Sequence, residues 1–509
     1  MKQGILILDF GSQFTQLIAR RVRENKVYCE IHPCTLDFSA DFEIEGIILS
    51  GGPASVLDAD APPFDVKWLE AAVPILGICY GMQLLASQAG AKLGVGEKRE
   101  YGLSSLILEK NHPIVEGLPE ASVVWMSHGD HVDALSEKWD VLARSETGVI
   151  GAIANGIDRI GLQFHPEVTH SEFGARMIQN FVLNICNAGQ IWNMQNFVAS
   201  QIQEIREKVG EQHVICGLSG GVDSAVTAAL LHKALGDQLH CIFVDNGLLR
   251  HQEREAVAEE FQEYDLQVVD ASEKFLAALA GIVDPETKRK TIGRIFIEVF
   301  EEEAKKLETE YGKISWLAQG TLYPDVIESL SFKGPSATIK SHHNVGGIPE
   351  TMEMKLIEPL RELFKDEVRE LGIELGLNEK RVYRHPFPGP GLAIRILGEV
   401  TKEKCDILRK ADHIFMSEIE KFGWYRKIWQ ALVVLLPVKS VGVMGDSRTY
   451  ESTVTLRAVY SIDGMTARVV RLPWDLLEKT STRIINEVSG INRVTYDVSN
   501  KPPATIEWE

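Results

Sequence analysis

The chain has 509 residues, enough for roughly three domains of ordinary size. Its 45% hydrophobic and 25% charged residues are the balance of a globular protein, which argues against a fibrous, disordered or membrane-embedded one. A net charge of −19 excludes a broad nucleic-acid-binding face, which would need clustered Lys and Arg, so anionic ligands must be met by local sites.

Seven cysteines without C-x-x-C spacing point to a reducing compartment in which most thiols are small buried groups. The first apolar run, Gly4-Ile-Leu-Ile-Leu8, is too short for a signal peptide and reads as a core strand. Ala431 to Leu436 is likewise far short of the roughly 20 residues that span a bilayer. The expectation is a cytoplasmic protein with no membrane partner and no nucleic-acid partner.

Over residues 1 to about 186, short apolar runs alternate with helical periods: Gly4 to Leu8, Gly46 to Leu49, Pro74 to Ile78, Val123 to Trp125 and Ile160 to Phe164. Alternation of this kind predicts a layered α/β domain. Gly77-Ile-Cys79-Tyr-Gly81 stands between a strand and a helix with the spacing of a nucleophile elbow, where glycines permit a tight turn that exposes the side chain. A helix N-terminus and a histidine partner would both favour the thiolate. Downstream, Gly161-Leu-Gln-Phe-His165-Pro-Glu167 supplies a base in His165 and an orienting carboxylate in Glu167. Gly51-Gly52-Pro53, after a strand, can present backbone N–H groups to an oxyanion.

Taken singly, a buried cysteine is usually core, a lone histidine a structural hydrogen-bonder, and Gly-Gly-Pro a turn. In this order they resemble the class I glutamine amidotransferase domain over most of residues 1–190. The resemblance implies that Cys79 attacks the glutamine amide, His165 moves the protons and Glu167 holds the imidazole. It also implies that the N–H groups of Gly52 and Tyr80 form the oxyanion hole. Cys29, Cys34, Cys186, Cys216, Cys241 and Cys405 lack such a setting and read as packing.

Asn187-Ala-Gly-Gln190 reads as a connection, and a helix from Ile191 to Val209 follows. The strand Val214 to Leu218 then runs into Ser219-Gly220-Gly221-Val222-Asp223-Ser224 and the helix-like Ala225 to Leu231. Bare backbone N–H groups and a helix N-terminus make this an anion cradle. It lacks the lysine of G-x-x-x-x-G-K-[ST]. Instead it resembles the pyrophosphate loop of enzymes that cut ATP between its α and β phosphates. Further parallel strands are expected at His240 to Val244, Gln267 to Val269 and Ser315 to Ala318, with SGGVDS, Asp245 and Gln319-Gly320-Thr321 at their carboxyl ends. The proline-rich break His385 to Gly391 opens a third domain, whose helices give way to strands such as Ser452 to Val459.

The combination of SGGVDS, Val244 to Arg250 (VDNGLLR), Gln319 to Ser329 (QGTLYPDVIES), Ile339 to Gly347 (IKSHHNVGG), His385 to Leu392 (HPFPGPGL) and KPPATIEWE is similar, along the whole chain, to the family of glutamine-hydrolysing GMP synthetases. The resemblance implies three parts. Residues 1–190 are a class I glutamine amidotransferase domain, 191–384 a doubly wound parallel-sheet ATP pyrophosphatase (PP-loop) domain, and 385–509 an α+β dimerisation domain that also binds xanthosine 5′-monophosphate (XMP).

By that resemblance the substrates are XMP, ATP and glutamine, and the chain is a homodimer. XMP is adenylylated at its 2-oxo oxygen and aminated to GMP. Ser219 to Ser224 hold the outer phosphates, Asp223 ligates Mg²⁺ and Val244 lines the adenine pocket. Lys340, His342 and His343 form a lid. Arg294, Gln430, Lys501, Ile506 and Glu507 contact XMP, along with the Pro388-Gly-Pro-Gly391 loop. A Lys365-Asp366 pair near the phosphates is a looser carry-over, since an exposed helical charge run reads equally well. Deleting residues 501–509 is expected to abolish synthesis and spare ATP binding.

A tRNA-modifying pyrophosphate-loop enzyme is opposed by the acidic balance and by the absence of paired cysteines beside SGGVDS. A non-catalytic scaffold would be expected to have lost Cys79, His165 or Asp223. Synthetases making CTP or carbamoyl phosphate lack SGGVDS, and NAD synthetase carries a different glutaminase.

Overall fold

The computed structural model describes residues 2–39, 42–59, 61–324, 326, 354–444, 446–461 and 466–509. The chain divides into two compact units, one running through Phe197 and the other made of Val198–Tyr323 and the described part of Asn344–Glu509.

The first unit is built on a nine-stranded sheet. Its strands are β1 Gln3–Asp9, β2 Cys29–Pro33, β3 Glu43–Leu49, β4 Ile75–Ile78, β5 Lys92–Leu108, β6 Ala121–Ala134, β7 Asp140–Ser145, β8 Ile150–Asn155 and β9 Arg159–Leu162. Their order is β2-β1-β3-β4-β9-β8-β7-β5-β6. The strands from β2 to β9 in that order pair in parallel, and those from β8 onward are antiparallel. Ile5 to Leu8 and Ile47 to Leu49 are fully buried, as continuous apolar runs must be when helices cover both faces. The Val123 to Trp125 run belongs to a strand of 14 residues, paired with β5 in a long hairpin.

In the second unit β10 His213–Leu218, β11 Leu239–Asp245, β12 Asp265–Asp270, β13 Ile314–Ala318 and β14 Lys355–Ile357 form an all-parallel sheet in the order β12-β11-β10-β13-β14. An antiparallel sheet follows in β15 Gln430–Met444, β16 Ser447–Tyr460 and β17 Arg468–Val469, and β18 Ile491–Tyr496 lies parallel to β16. One apolar core serves both sheets: Ile215, Ile242, Phe300, Leu408, Phe415, Val433 and Leu456 all belong to it.

The long helices carry their own start and stop signals. Pro285–Tyr311 begins with Asp284 accepting the Thr287 N–H at 2.8 Å and Pro285 in its first turn, and ends at Gly312, whose φ is +83°. Lys402–Lys421 is capped by Thr401, which accepts from Lys404 N. Among the described residues no helix is long and apolar enough to cross a membrane.

Candidate active sites

Both candidate sites stand at carboxyl ends of parallel strands, where the loops of open α/β sheets gather ligands. In the first unit Gly51 and Gly52 follow β3, Cys79 follows β4 and His165 follows β9. Cys79 is the N-cap of helix Tyr80–Gln88, at φ +52° and ψ −105°. A side chain in that region costs roughly 1–2 kcal/mol, so the surrounding packing must impose it. The flanking glycines show how: a Cβ on Gly77 would lie 2.4 Å from the Gly81 carbonyl oxygen, and one on Gly81 would lie 2.4 Å from that of Leu49.

His165 Nδ1 donates to Glu167 Oε1 at 2.7 Å, and the carboxylate is fully buried. Burial alone would lower the imidazole's affinity for a proton. The Glu167 charge and hydrogen bonds to Cys79 and Glu167 outweigh it, and His165 is pushed up to about 10. The pair therefore favours an imidazolium beside a carboxylate, with Cys79 at its other edge.

Gly51 keeps that edge open, because a Cβ there would sit 3.1 Å from His165 Cε1 and 3.7 Å from Cys79 Cβ. A Cβ on Gly52 would meet the Phe10 carbonyl oxygen at 2.7 Å. On either side of Tyr80, the N–H groups of Cys79 and Gly81 bond to Leu162 O and Ser50 O. Among the other thiols, burial pushes Cys34 and Cys405 up to about 11, which suits inert packing.

In the second unit the turn after β10 is knitted internally. Ser224 Oγ accepts from Ser219 N at 3.1 Å and donates to Gly221 O at 3.1 Å, while Gly221 N donates to Ser219 Oγ. Gly220 has φ +73°, and its carbonyl oxygen is turned away to accept from Arg381 (2.9 Å) and Arg384 (2.7 Å). Gly221 caps helix Val222–Leu235, whose first turn holds Asp223. Both Asp223 oxygens accept from the Lys365 ammonium, at 2.6 and 2.7 Å. Gly320 packs against Asp223, and Val244 is buried at the end of β11. The loop after β11 is braced by Arg409, which donates to Gly247 O and Leu249 O. Gly391 of the proline-rich loop lies against Leu248, where a Cβ would meet a carbonyl oxygen at 2.4 Å.

The C-terminal residues fold back into this unit. Arg395, fully buried, makes a two-pronged bond to Glu507 at 2.8 and 3.0 Å, and Gln430 donates to the same carboxylate at 2.6 Å. Arg457 donates to the carbonyls of Ile506, Thr505 and Ser499, and Lys288 to Glu509. Deleting residues 501–509 would thus strip partners from three fully buried cations, and so would disturb the unit itself as well as the site.

The fold brings Gln430, Glu507 and the proline-rich loop together, and Ile506 packs with Val459 and Ala467. Lys501 is tied to Ala467 through backbone bonds. Arg294 lies on the exposed side of its helix with its guanidinium on Glu298, one turn away. Lys340, His342 and His343 lie outside the described residues.

Sequence reading missed several contributors. Gln83 is four residues after Cys79, one helical turn on, and Gln163 two residues before His165, and these spacings were the signal that could have found them. Arg381, Arg384 and Arg395 carried no local signal, because their partners lie more than 100 residues away in the sequence.

The first unit is a class I glutamine amidotransferase domain. With a parallel-sheet ATP pyrophosphatase domain and an antiparallel C-terminal domain on the same chain, it defines a glutamine-fed, ATP-using synthetase. Comparison with known proteins agrees. Residues 6–185 match the class-I glutamine amidotransferase family, 191–284 the NAD synthase family and 417–508 the GMP synthase C-terminal domain. The chain is 57% identical to the glutamine-hydrolysing GMP synthase of Solidesulfovibrio magneticus over 99% of each chain, and 56% identical to that of Fusobacterium nucleatum over 100% of each. It is also similar to a solved glutamine amidotransferase from Thermotoga maritima, 22% identical over 41% of this chain and 86% of that one, with a TM-score of 0.29. The chain belongs to the glutamine-hydrolysing GMP synthase family, and its activity is that of an ATP-using GMP synthase.

Proposed function

We propose that Cys79, His165 and Glu167 release ammonia from glutamine, and that the ATP cradle and C-terminal site spend it on XMP through an adenylyl intermediate. The observation that carries this reading is the Cys79 elbow, with its backbone held at φ +52° and its thiol beside the His165–Glu167 pair. Cys79 Sγ bonds to the amide carbon while the oxyanion is met by the N–H groups of Gly52 and Tyr80. His165 gives its proton to the departing ammonia and then takes one from water, which cleaves the thioester to glutamate.

In the second unit, Ser219 to Ser224 take the pyrophosphate end of ATP and Val244 lines the adenine pocket. Among the described residues no group of three or more His, Cys, Asp or Glu could cage a metal. One carboxylate that already holds a cation, Asp223 with Lys365, suits Mg²⁺ instead, which commonly keeps its waters and is shared with substrate phosphates. Bound there, the ion would neutralise charge on the departing pyrophosphate. Lys365 would pass from Asp223 to the phosphates. Arg294, Gln430, Lys501, Ile506 and Glu507 take XMP, and Lys340, His342 and His343 close over the nucleotides. Domains at 1–190, 191–384 and 385–509, a homodimer through the last, and a cytoplasmic location complete the reading.

Pyrophosphate release from ATP, measured with XMP and separately with other nucleotides or tRNA, tests the acceptor; release that ignores XMP refutes it. Cys79→Ala is expected to lose glutamine-fed synthesis and keep ammonia-fed synthesis. Loss of both gives the thiol another role.

A further inference from the structure

The Cys79 sulfur is touched by an amide as well as by an imidazole, and it also lies 3.8 Å from the carbonyl oxygen of Ser127, which accepts from the S–H form. Gln163 is fully buried, and its Nε2 lies 3.7 Å from Sγ. Which end of a buried amide faces a neighbour is settled by the bonds around it, and here they form a chain that starts at the backbone. Asp130 O can only accept, and it takes a bond of 2.8 Å from Gln83, so Gln83 presents its NH₂ at that point. The same NH₂ reaches Gln163 Oε1 at 3.3 Å. With its oxygen engaged by Gln83, Gln163 has its own NH₂ facing the sulfur. A backbone carbonyl on β6 thus determines, through two side chains, that the thiol meets a hydrogen-bond donor. A donor favours S⁻ over S–H, because the charged sulfur is the stronger acceptor.

We propose that Gln163 is a catalytic residue that stabilises the Cys79 thiolate through its amide N–H. The proposal rests on the reading of Cys79 as the nucleophile. The thiolate occurs twice in the cycle. It is consumed when the C–S bond forms and the amide C–O becomes an oxyanion, which then expels ammonia carrying the His165 proton. It is regenerated when water, giving a proton back to His165, adds to the thioester carbon and the C–S bond breaks to leave glutamate. Gln163 faces the sulfur at both points.

The test is alkylation of Cys79 by iodoacetamide, followed by peptide mass over a range of pH, in the full-length chain and in Gln163→Leu and Gln163→Glu. Hydrogen exchange at the buried Ile5 to Leu8 and Ile47 to Leu49 strands reports whether the first unit is folded in each preparation. Removing one hydrogen bond to a charged acceptor is expected to slow alkylation at pH 7 roughly tenfold in Gln163→Leu and to move the rising limb of the pH profile upward. Gln163→Glu keeps the volume but turns an oxygen on the sulfur, so it is expected to be slower still, with glutamine-fed synthesis falling in step. Native alkylation rates in both variants, or a native rate restored by the isosteric Glu, overturn the proposal and leave Gln163 as packing. Glutamine-fed synthesis surviving in Cys79→Ala would instead remove the nucleophile itself, which is a separate failure.

Discussion

Glu167→Gln isolates charge from shape in the thiol site. The amide keeps the volume and an oxygen for His165 Nδ1, so the geometry at 2.7 Å can persist while the negative charge goes. The rise of His165 from 6.5 to about 10 corresponds to about 5 kcal/mol of preference for imidazolium over imidazole. Burial opposes that preference, and Glu167 supplies the leading attraction. If half of the preference is lost, the imidazolium–thiolate state that attacks the amide is destabilised by about 2–3 kcal/mol, and glutamine hydrolysis is expected to fall about a hundredfold.

Glutamate release is the assay, with ammonia-fed synthesis by the same preparation as the reference, expected unchanged. A second readout follows from linkage. A base whose folded affinity for protons exceeds its unfolded one contributes stability that is complete below pH 6.5 and is lost as pH rises through about 10. The native chain should lose that contribution across the window, and the variant should lose much less. A fall in glutamate release of under threefold, with unaltered pH dependence of unfolding, would refute the claim that Glu167 acts through charge.

Three further outcomes are expected. Lys365→Met should raise the KM for ATP about tenfold and change stability by no more than about 1 kcal/mol, since its pair with Asp223 is partly exposed; equal ATP saturation in both proteins would leave Lys365 idle. Glu507→Gln leaves buried Arg395 with Asp412, 3.8 Å away, as its remaining acid, and should cost about 2–3 kcal/mol in denaturant unfolding and raise the KM for XMP. An unmoved midpoint would mean that the pair adds nothing. His385 is driven down to about 4 by burial, while its Nε2–H donates to Tyr425 O and its Nδ1 accepts from Ala431 N. Its contribution is therefore present above pH 6.5 and lost as pH falls towards 4, up to about 3 kcal/mol, and His385→Gln should flatten acid unfolding in that window.

Features encoded within a few residues were legible in the sequence. The elbow at Cys79 needs glycines two residues either side, His165 and Glu167 are two apart, and SGGVDS is a contiguous turn between a strand and a helix. The buried strands read as unbroken apolar runs for the same reason. The long β5–β6 hairpin did not, because the side chains of β6 alternate between buried and more exposed positions and the register shifts between Val95 and Glu100. Pairings across the chain also left no local trace. Lys365 reads as part of an exposed charge run, and only the fold sets it on Asp223, 142 positions away. Arg384 on the Gly220 carbonyl and Arg395 on the Glu507 carboxylate are of the same kind, bonds whose partners only tertiary structure selects.

The Gly220 carbonyl, bonded to Arg381 and Arg384, has a kinetic consequence. A nucleotide polyanion diffusing towards a chain of net charge −19 is repelled at distances of many ångströms. If it binds at this loop, it meets two guanidinium groups moored behind the backbone, Arg381 paired with Glu260 and Arg384 with Glu253, and opposite them the Lys365 ammonium on Asp223. Long-range repulsion is screened by salt within about 10 Å, whereas fixed charges at contact are screened far less. Encounter and retention therefore respond differently to ionic strength: added salt lowers the barrier to arrival before it weakens the grip.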